Sequence, residues 1–160
     1  MTRAYQFLRY GFASVAVLVF AALQVSGIFS FFGIVPNLAL GVLIALLFYF
    51  SSFAEILFFS TLAMSVLNWE RGLPWELVAF FSALTAAFLV KRLLPWHFLL
   101  ETAILVFLAF GIFAFFADPA YPLLFPGRFG VEFLYAEASA FLSLALLALW
   151  YGPVGNSKKI

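Results

Sequence analysis

The stretch GIVPNLALGVLIALL, residues 33–47, decides how the chain is divided, because it is almost wholly apolar and does not stop at the usual length of a membrane span. The apolar run continues through FYFSSFAEILFFSTLAMSVL to residue 67. As one helix from Pro36 onward it would be about 48 Å long, whereas about 30 Å is enough to cross the hydrocarbon of a bilayer. We therefore predict two short helices separated near Ser51-Ser52, with Glu55 placed as in a capping box at the start of the second.

The composition is that of a polytopic membrane protein. Of the 160 residues, 67% are hydrophobic and only 9% are charged, whereas a soluble domain has about 25% charged residues. This is too little polar surface to cover a water-soluble globule, so the lipid bilayer is the first expected partner. The net charge of +1 does not favour nucleic acid as a partner. With no cysteine and one histidine, the chain offers no thiolate or multi-histidine metal site, and we expect no metal and no cofactor.

Hydrophobic length, prolines and tryptophans predict an all-α fold: six transmembrane helices in one domain of residues 1–160, with both termini in the cytoplasm. Pro74 and Pro95 precede the fourth and fifth spans, where proline suits a helix start, and the tryptophans lie near span ends, as in an interfacial aromatic belt. The first span is interpreted as a retained signal anchor. The predicted spans cover about residues 10–32, 36–50, 53–68, 75–90, 98–116 and 133–151.

The distribution of basic residues favours six spans over five. With six spans and a cytoplasmic N-terminus, six arginines and lysines lie inside and two lie outside, whereas treating residues 36–67 as one span gives four on each side. The positive-inside rule prefers the six-span arrangement. The two outer residues are Arg71 and Arg128, and the six inner ones are Arg3, Arg9, Lys91, Arg92, Lys158 and Lys159.

The longest connection, ADPAYPLLFPGRFGVE at residues 117–132, is rich in proline, glycine and aromatic residues. It is predicted to be a loop on the outer face. Such a loop either simply closes a long connection or serves as a lid or a partner contact, since loops often carry function.

Polar and small residues inside the predicted spans indicate helix packing. Gln24 is expected to hydrogen-bond across helices, and Asn37 is expected to hold the start of the second helix through its side chain. Small residues recur four positions apart, which allows close approach of helices, and intramolecular packing is the expected use. These pairs are Ala22/Ser26, Ser82/Ala86, Ala136/Ala140 and Ser139/Ser143.

Two acidic residues are the remaining candidates for a site within the spans. Glu101 follows His97 by four residues, so the pair is either a proton relay or a polar pair that orients the helix start. Glu137, about one turn inside the predicted sixth span, either faces a polar cavity or a partner, or extends to the interface beside Glu132. Because Glu101 and Glu137 are predicted at opposite membrane faces, they do not form a catalytic pair, and no nucleotide-binding or hydrolase motif is present.

The segment ALQVSGIFSFFGIVPNLALGVLIAL resembles the start of MreD, the small membrane subunit of the bacterial rod-shape machinery. In that family a first span with a glutamine near its end leads to Pro-Asn or Pro-Asp and a leucine-rich second span, a pattern matched here by Gln24, Pro36 and Asn37. Asn68 stands where the family usually has an acid. The closing helix FLYAEASAFLSLALLALWYGP and the short basic tail are also similar to the family's.

The resemblance implies a non-enzymatic scaffold in the bacterial cytoplasmic (inner) membrane. It also implies a fold similar to the substrate-binding subunits of energy-coupling-factor vitamin transporters. The implied partners are an MreC-like protein, the actin-like MreB, the glycosyltransferase RodA and a class B penicillin-binding protein. Two other hypotheses stay open: a vitamin-type substrate-binding subunit of a transporter, with a polar pocket near Gln24 or Glu137, and, less favoured, a membrane-embedded enzyme.

Overall fold

Helices joined by turns make up the part of the chain that the computed structural model describes. That part is residues 3–30, 35, 37–67, 75–93 and 98–152, without the side chains of 3, 4, 75–77 and 117. No strand occurs in those ranges, which confirms the predicted all-α class. The helices are α1 (Arg3–Ser26), α2 (Leu38–Leu46), α3 (Phe53–Leu67), α4 (Trp75–Leu93), α5 (Phe98–Ala117), α6 (Tyr121–Leu124) and α7 (Pro126–Tyr151).

Three segments within these helices are long and apolar enough to cross a membrane: Tyr5–Ser26, Phe98–Phe116 and Pro126–Tyr151. They indicate a membrane protein. The predicted division of the long apolar run is also found, because α2 and α3 are separate helices with Ser51 and Ser52 between them. At nine and 15 residues, however, both are shorter than an ordinary span.

The first helix ends six residues before the predicted end of the first span at residue 32, and it starts at Arg3 rather than near residue 10. It stops because Gly27 adopts the left-handed conformation, with φ of 66°, that commonly ends helices. The Ser26 hydroxyl donates to the Leu23 carbonyl oxygen at 2.8 Å, which satisfies one of the last acceptors of the helix. The Ser-Gly pair was the sequence signal for this end.

The last helix begins at Pro126, not near residue 133, so the prediction of a continuous loop over residues 117–132 is wrong. Proline is favoured in the first helical turn because its φ angle is already helical and its missing N–H is not needed there. Four residues apart, Arg128 and Glu132 form an ion pair at 3.4 Å along the first turns of α7. The short helix α6 occupies part of the remaining connection.

Helix α2 forms the centre of the structure. All nine of its residues are buried, as are the four that follow it, residues 47–50. It contacts α1, α3, α4, α5 and α7. A helix that is apolar on every side is expected to be surrounded by other helices, and here the surrounding protein takes the place of lipid.

Contacts between helix ends show that the long helices run in alternating directions. The starts of α1, α3 and α5 lie with the ends of α2, α4 and α7; we call this the basic end. Examples are the Arg9–Tyr49, Tyr10–Glu55, Lys91–Leu47, Phe48–Phe98 and Tyr151–Arg9 contacts. The opposite end, which we call the α6 end, joins Gln24 to Ala39 and Phe110 to Phe129.

A stripe of small residues on α7 lets it pack closely on α2. Ala136, Ser139, Ala140 and Ser143 are all buried, which confirms the predicted packing role of these two pairs. A Cβ atom added to Gly41 of α2 would overlap Ser139 Oγ and lie 3.0 Å from the Ala140 backbone nitrogen, so a larger residue would force α2 and α7 to shift apart. The Ser139 and Ser143 hydroxyls donate to carbonyl oxygens within α7, so they leave no polar group unsatisfied at this contact.

The other two predicted small-residue pairs do not form such an interface. Ala22 and Ser26 are exposed on the outside of α1. On α4 the buried small residues are one position away from the prediction: they are Ala79, Ala83 and Ala87, whereas Ser82 and Ala86 are half-buried.

Candidate functional site

The start of α2 is held by two amide side chains; Asn37 was predicted in this role, and Gln24 was predicted only to hydrogen-bond across helices. The Asn37 Oδ1 accepts from the Leu40 backbone N–H at 3.1 Å, which is the usual geometry of an N-cap. The Gln24 Oε1, from the last turns of α1, accepts from the Ala39 N–H at 3.0 Å. Two of the four N–H groups that a helix start leaves unpaired are thus satisfied, one locally and one from a neighbouring helix.

The end of α2, at its C-cap residue Leu47, and the turn that follows it are held by cations. The Arg9 Nη2 group donates to the Tyr49 carbonyl oxygen, and the Lys91 ammonium group donates to the Leu47 carbonyl oxygen. The exposed Arg92 reaches the Ser51 carbonyl oxygen at 3.4 Å. Because the carbonyl end of a helix carries partial negative charge, positive side chains both satisfy its free acceptors and stabilise its dipole.

Aromatic rings cover these cations. The Arg9 guanidinium carbon lies 4.6 Å from the Phe50 ring centroid and 5.7 Å from that of Tyr151. The Lys91 nitrogen lies 4.6 Å from the Phe48 ring centroid. These are cation–π distances, and the rings reduce the access of water to the charges. The Tyr151 hydroxyl donates to the Arg9 carbonyl oxygen at 2.6 Å and so joins α7 to α1 at this end.

Of the two hydrogen bonds that make up the predicted capping box at the start of α3, the structure shows one. The Glu55 Oε2 accepts from the Ser52 backbone N–H at 3.0 Å, which is the reciprocal half of that motif. The other carboxylate oxygen of Glu55 accepts from the Tyr10 hydroxyl of α1. Glu55 therefore ties the break between α2 and α3 to the first helix.

The two acidic candidates lie on different helices and at different levels of the bundle. Glu101 is buried in the first turn of α5, at the basic end. Glu137 was predicted one turn inside its span, but because α7 begins at Pro126 it lies three turns in, about 16 Å from the helix start. The two do not form a pair of catalytic carboxylates.

Glu137 is the polar group with the least satisfied environment in α7. It is half-buried, and its Oε2 atom is inaccessible to solvent and has no hydrogen-bond partner among the described residues. Phe133, one turn before it, contacts the Phe107 and Phe110 rings of α5. Glu137 therefore lies on the side of α7 next to α5, near the middle of a 26-residue helix.

At the α6 end, Tyr121 donates its hydroxyl hydrogen to Glu132 Oε1 at 2.7 Å, and Glu132 also pairs with Arg128. Burial, and then the hydrogen bond to Glu132, raises the pKa of Tyr121 to about 12 from its ordinary value near 10. Tyr121 therefore stays protonated and keeps donating to Glu132 at any physiological pH.

Three of the candidate site residues lie outside the part of the chain that the structure describes: Pro36, Asn68 and His97. The same holds for the predicted helix-start prolines and for three of the basic residues used for topology, which are Pro74, Pro95, Arg71, Lys158 and Lys159. Within the described ranges no three histidine, cysteine or acidic side chains come together as metal ligands would. Sequence reasoning used Arg9, Lys91 and Arg92 only as topology markers and missed their contacts with the end of α2. A signal was available in the sequence. Arg9 lies near the start of α1 and Lys91 and Arg92 lie in the last turn of α4, and basic residues at such positions can bind the free carbonyl groups at the end of a neighbouring helix.

Comparisons of the chain with protein-family models, with curated proteins and with solved structures gave no match.

Proposed function

We propose that the chain crosses the bacterial cytoplasmic membrane six times with both termini in the cytoplasm. The alternating helix directions support this topology, as does the position of Arg9, Lys91 and Arg92 at one end. The shortness of α2 fits it as well, because a helix enclosed by protein at its sides need not match the thickness of the hydrocarbon.

Within that membrane, we propose that the protein is an MreD-like, non-enzymatic scaffold subunit of the cell-shape and peptidoglycan elongation machinery. The observation that carries this proposal is the shared role of Gln24 and Asn37. These residues underlie the resemblance to MreD, and they act together on the start of α2. Their polar groups are used to hold the fold, which suits a protein that works through its outer surfaces.

We propose Glu137 as a contact with a partner of the MreC, RodA or class B penicillin-binding type. A carboxyl group near the middle of a membrane helix is costly unless it is paired, and Oε2 of Glu137 has no partner among the described residues. Since Oε2 is buried while the side chain as a whole is only half-buried, the proposal requires the carboxyl group to turn outward to meet a hydrogen-bond donor from the helix of another protein.

Pull-down from native membranes tests this function. We expect the tagged wild-type chain to recover an MreC-like protein or a wall-synthesis enzyme, and Glu137→Leu to recover markedly less. Glu137→Gln, which keeps a hydrogen-bonding side chain, should retain most of the recovery, and Glu132→Gln serves as a control outside the proposed contact. Recovery of an ATPase module with no wall-synthesis protein would favour the transporter alternative and overturn the proposal.

The topology has a separate test. The chain has no native cysteine, so single cysteines at Ser52 and Gly127, which are both exposed, can be labelled without background. We expect a membrane-impermeant reagent to label the two positions from opposite sides. Labelling of both from one side would exclude six spans.

A further inference from the structure

A groove runs along the outside of the bundle between α1 and α7. It has a volume of about 350 Å³, and Val42 of α2 forms part of its base. Around Phe12, Val15 and Trp150 it continues into a second depression of about 390 Å³ that reaches Phe7. Ser143 carries the only hydroxyl among the described residues that line either part, and that hydroxyl donates to the Ser139 carbonyl oxygen at 2.7 Å. We call this feature the α1–α7 groove; it offers a ligand almost entirely apolar contact, and the indole N–H of Trp150 is the other side-chain donor in its described lining.

The length of the groove corresponds to one leaflet of a bilayer. It follows α1 from Phe7 to Phe20, a distance of about 20 Å along the helix axis. One leaflet, including its headgroup region, is also about 20 Å thick. The groove thus extends from one membrane surface to the level at which an acyl chain ends.

The groove opens at the basic end. Trp150 stacks on Phe12 with ring centroids 4.5 Å apart, and it is 55% exposed, as expected of an interfacial tryptophan. The adjacent Tyr151 contacts both Phe12 and the guanidinium group of Arg9. Positive charge therefore lies beside the mouth of the groove, where a lipid headgroup would be.

Arg9 acts at this position through its charge. Its Nη2 group is used by the Tyr49 carbonyl oxygen and its Nε–H is buried, so neither donates to a headgroup, whereas the positive charge of the guanidinium group still attracts an anion. The acids with described side chains at the basic end are Glu55 of α3, which is bonded to Ser52 and Tyr10 and does not line the groove, and Glu101 of α5. The cations with described side chains at this end are Arg9, Lys91 and Arg92, so positive charges outnumber negative ones, and Arg9 is the cation beside the mouth of the groove.

From these features we propose that the α1–α7 groove binds one anionic phospholipid. An acyl chain lies in the groove against Phe12, Val15 and Val19, and the headgroup lies at the basic end, attracted by Arg9. The proposal requires only that α1 and α7 are embedded in a membrane, and it is independent of any role in cell shape.

Native mass spectrometry of the full chain tests the proposal. The protein is released from micelles that contain equal amounts of phosphatidylglycerol and phosphatidylethanolamine with identical acyl chains. We expect one retained lipid, with phosphatidylglycerol preferred about fivefold, the effect of one nearby cation. Raising the salt concentration should lower the preference, while the total amount of retained lipid changes less.

Variants locate the lipid. Val15→Trp fills the groove and should abolish retention, and Leu149→Trp, from the opposite wall, should do the same if the first variant fails to fold. Leu142→Trp is the control, because Leu142 lies on α7 like Leu149 and is as exposed as Val15 (55% against 57%), but does not line the groove. Arg9→Lys should keep the preference for phosphatidylglycerol, and Arg9→Gln should lose it while still retaining lipid.

Three results would overturn the proposal. One is equal retention by Val15→Trp, Leu149→Trp and Leu142→Trp. Another is equal retention of the two lipids by the wild-type chain at low salt. The third is a dimer of the wild-type chain that Val15→Trp converts to a monomer, since the groove would then be an interface between two copies. The pull-down of partner proteins is a separate measurement, so failure of the scaffold role leaves this test unaffected.

Discussion

The two ends of α2 are held by different chemistry. At its start, neutral carbonyl oxygens of Gln24 and Asn37 accept backbone N–H groups. At its end, Arg9 and Lys91 donate to backbone carbonyl oxygens from beneath aromatic rings. The difference follows from the helix itself, which presents donors at one end and acceptors with partial negative charge at the other. A buried helix without nearby water depends on both.

If α2 is a rigid unit, a change in its middle should affect both of its ends, and Gly41→Ala tests this. The added Cβ meets Ser139 and the backbone of Ala140, so α2 must move away from α7. We expect a loss of about 1–3 kcal/mol in the free energy of unfolding, measured in mixed micelles, because overpacking displaces both ends together. Gly111→Ala is the control, since nothing lies within 4 Å of the added atom, and an equal loss there would contradict the explanation.

Removing a cation from the end of α2 tests the contribution of that end alone. Arg9→Met keeps an apolar stem but leaves the Tyr49 carbonyl oxygen without its charged donor, so we expect a loss of about 2 kcal/mol in the free energy of unfolding. Arg92→Met should cost much less, because Arg92 is exposed and its bond to Ser51 is long. Equal losses of unfolding free energy in the two variants would show that the contact of Arg9 stabilises the fold no more than that of the exposed Arg92.

The neutral end should be weaker. We expect Asn37→Ala to cost about 1 kcal/mol, the usual value of an N-cap, and Gln24→Leu to cost about 0.6 kcal/mol, the average for a hydrogen bond between membrane helices. Asn37→Asp should restore stability, because it keeps the acceptor oxygen and adds negative charge at a helix start. A loss for Asn37→Ala larger than that for Arg9→Met would reverse the comparison.

The smallest effect concerns pH at the α6 end of the molecule. Because the pKa of Tyr121 is raised in the folded state, its contribution to stability is complete below pH 10 and is lost as the pH rises to about 12. A melting-temperature series across that range should show a steeper fall for the wild-type chain than for Tyr121→Phe. Identical slopes would mean that the hydrogen bond to Glu132 does not affect stability.

The two ends of α2 also differ in how well they could be predicted from the sequence. The Asn37 cap of α2 and the bond between Glu55 and Ser52 were predictable, because in each case the two partners lie three positions apart in the sequence. The bond from Ala39 to Gln24 spans 15 positions, and for it the sequence indicated only a hydrogen bond between helices. The cation contacts at the other end join residues about 40 positions apart, and no local pattern encodes them. Local signals were also misread where Gly27 ends α1 and where Pro126 begins α7, since turn residues mark either a loop or a helix boundary.

The close contact between Gly41 and Ser139 also sets an order of events during biosynthesis. The two residues are 98 positions apart, and at common rates of translation about 5–20 s pass between their addition to the chain. Through that interval the centre of the protein has been made but the helix that covers it has not. Until α7 has been synthesised, the nine apolar residues of α2 lack one of the helices that bury them. In the nascent chain they must therefore be covered by lipid, by the insertion machinery or by α1.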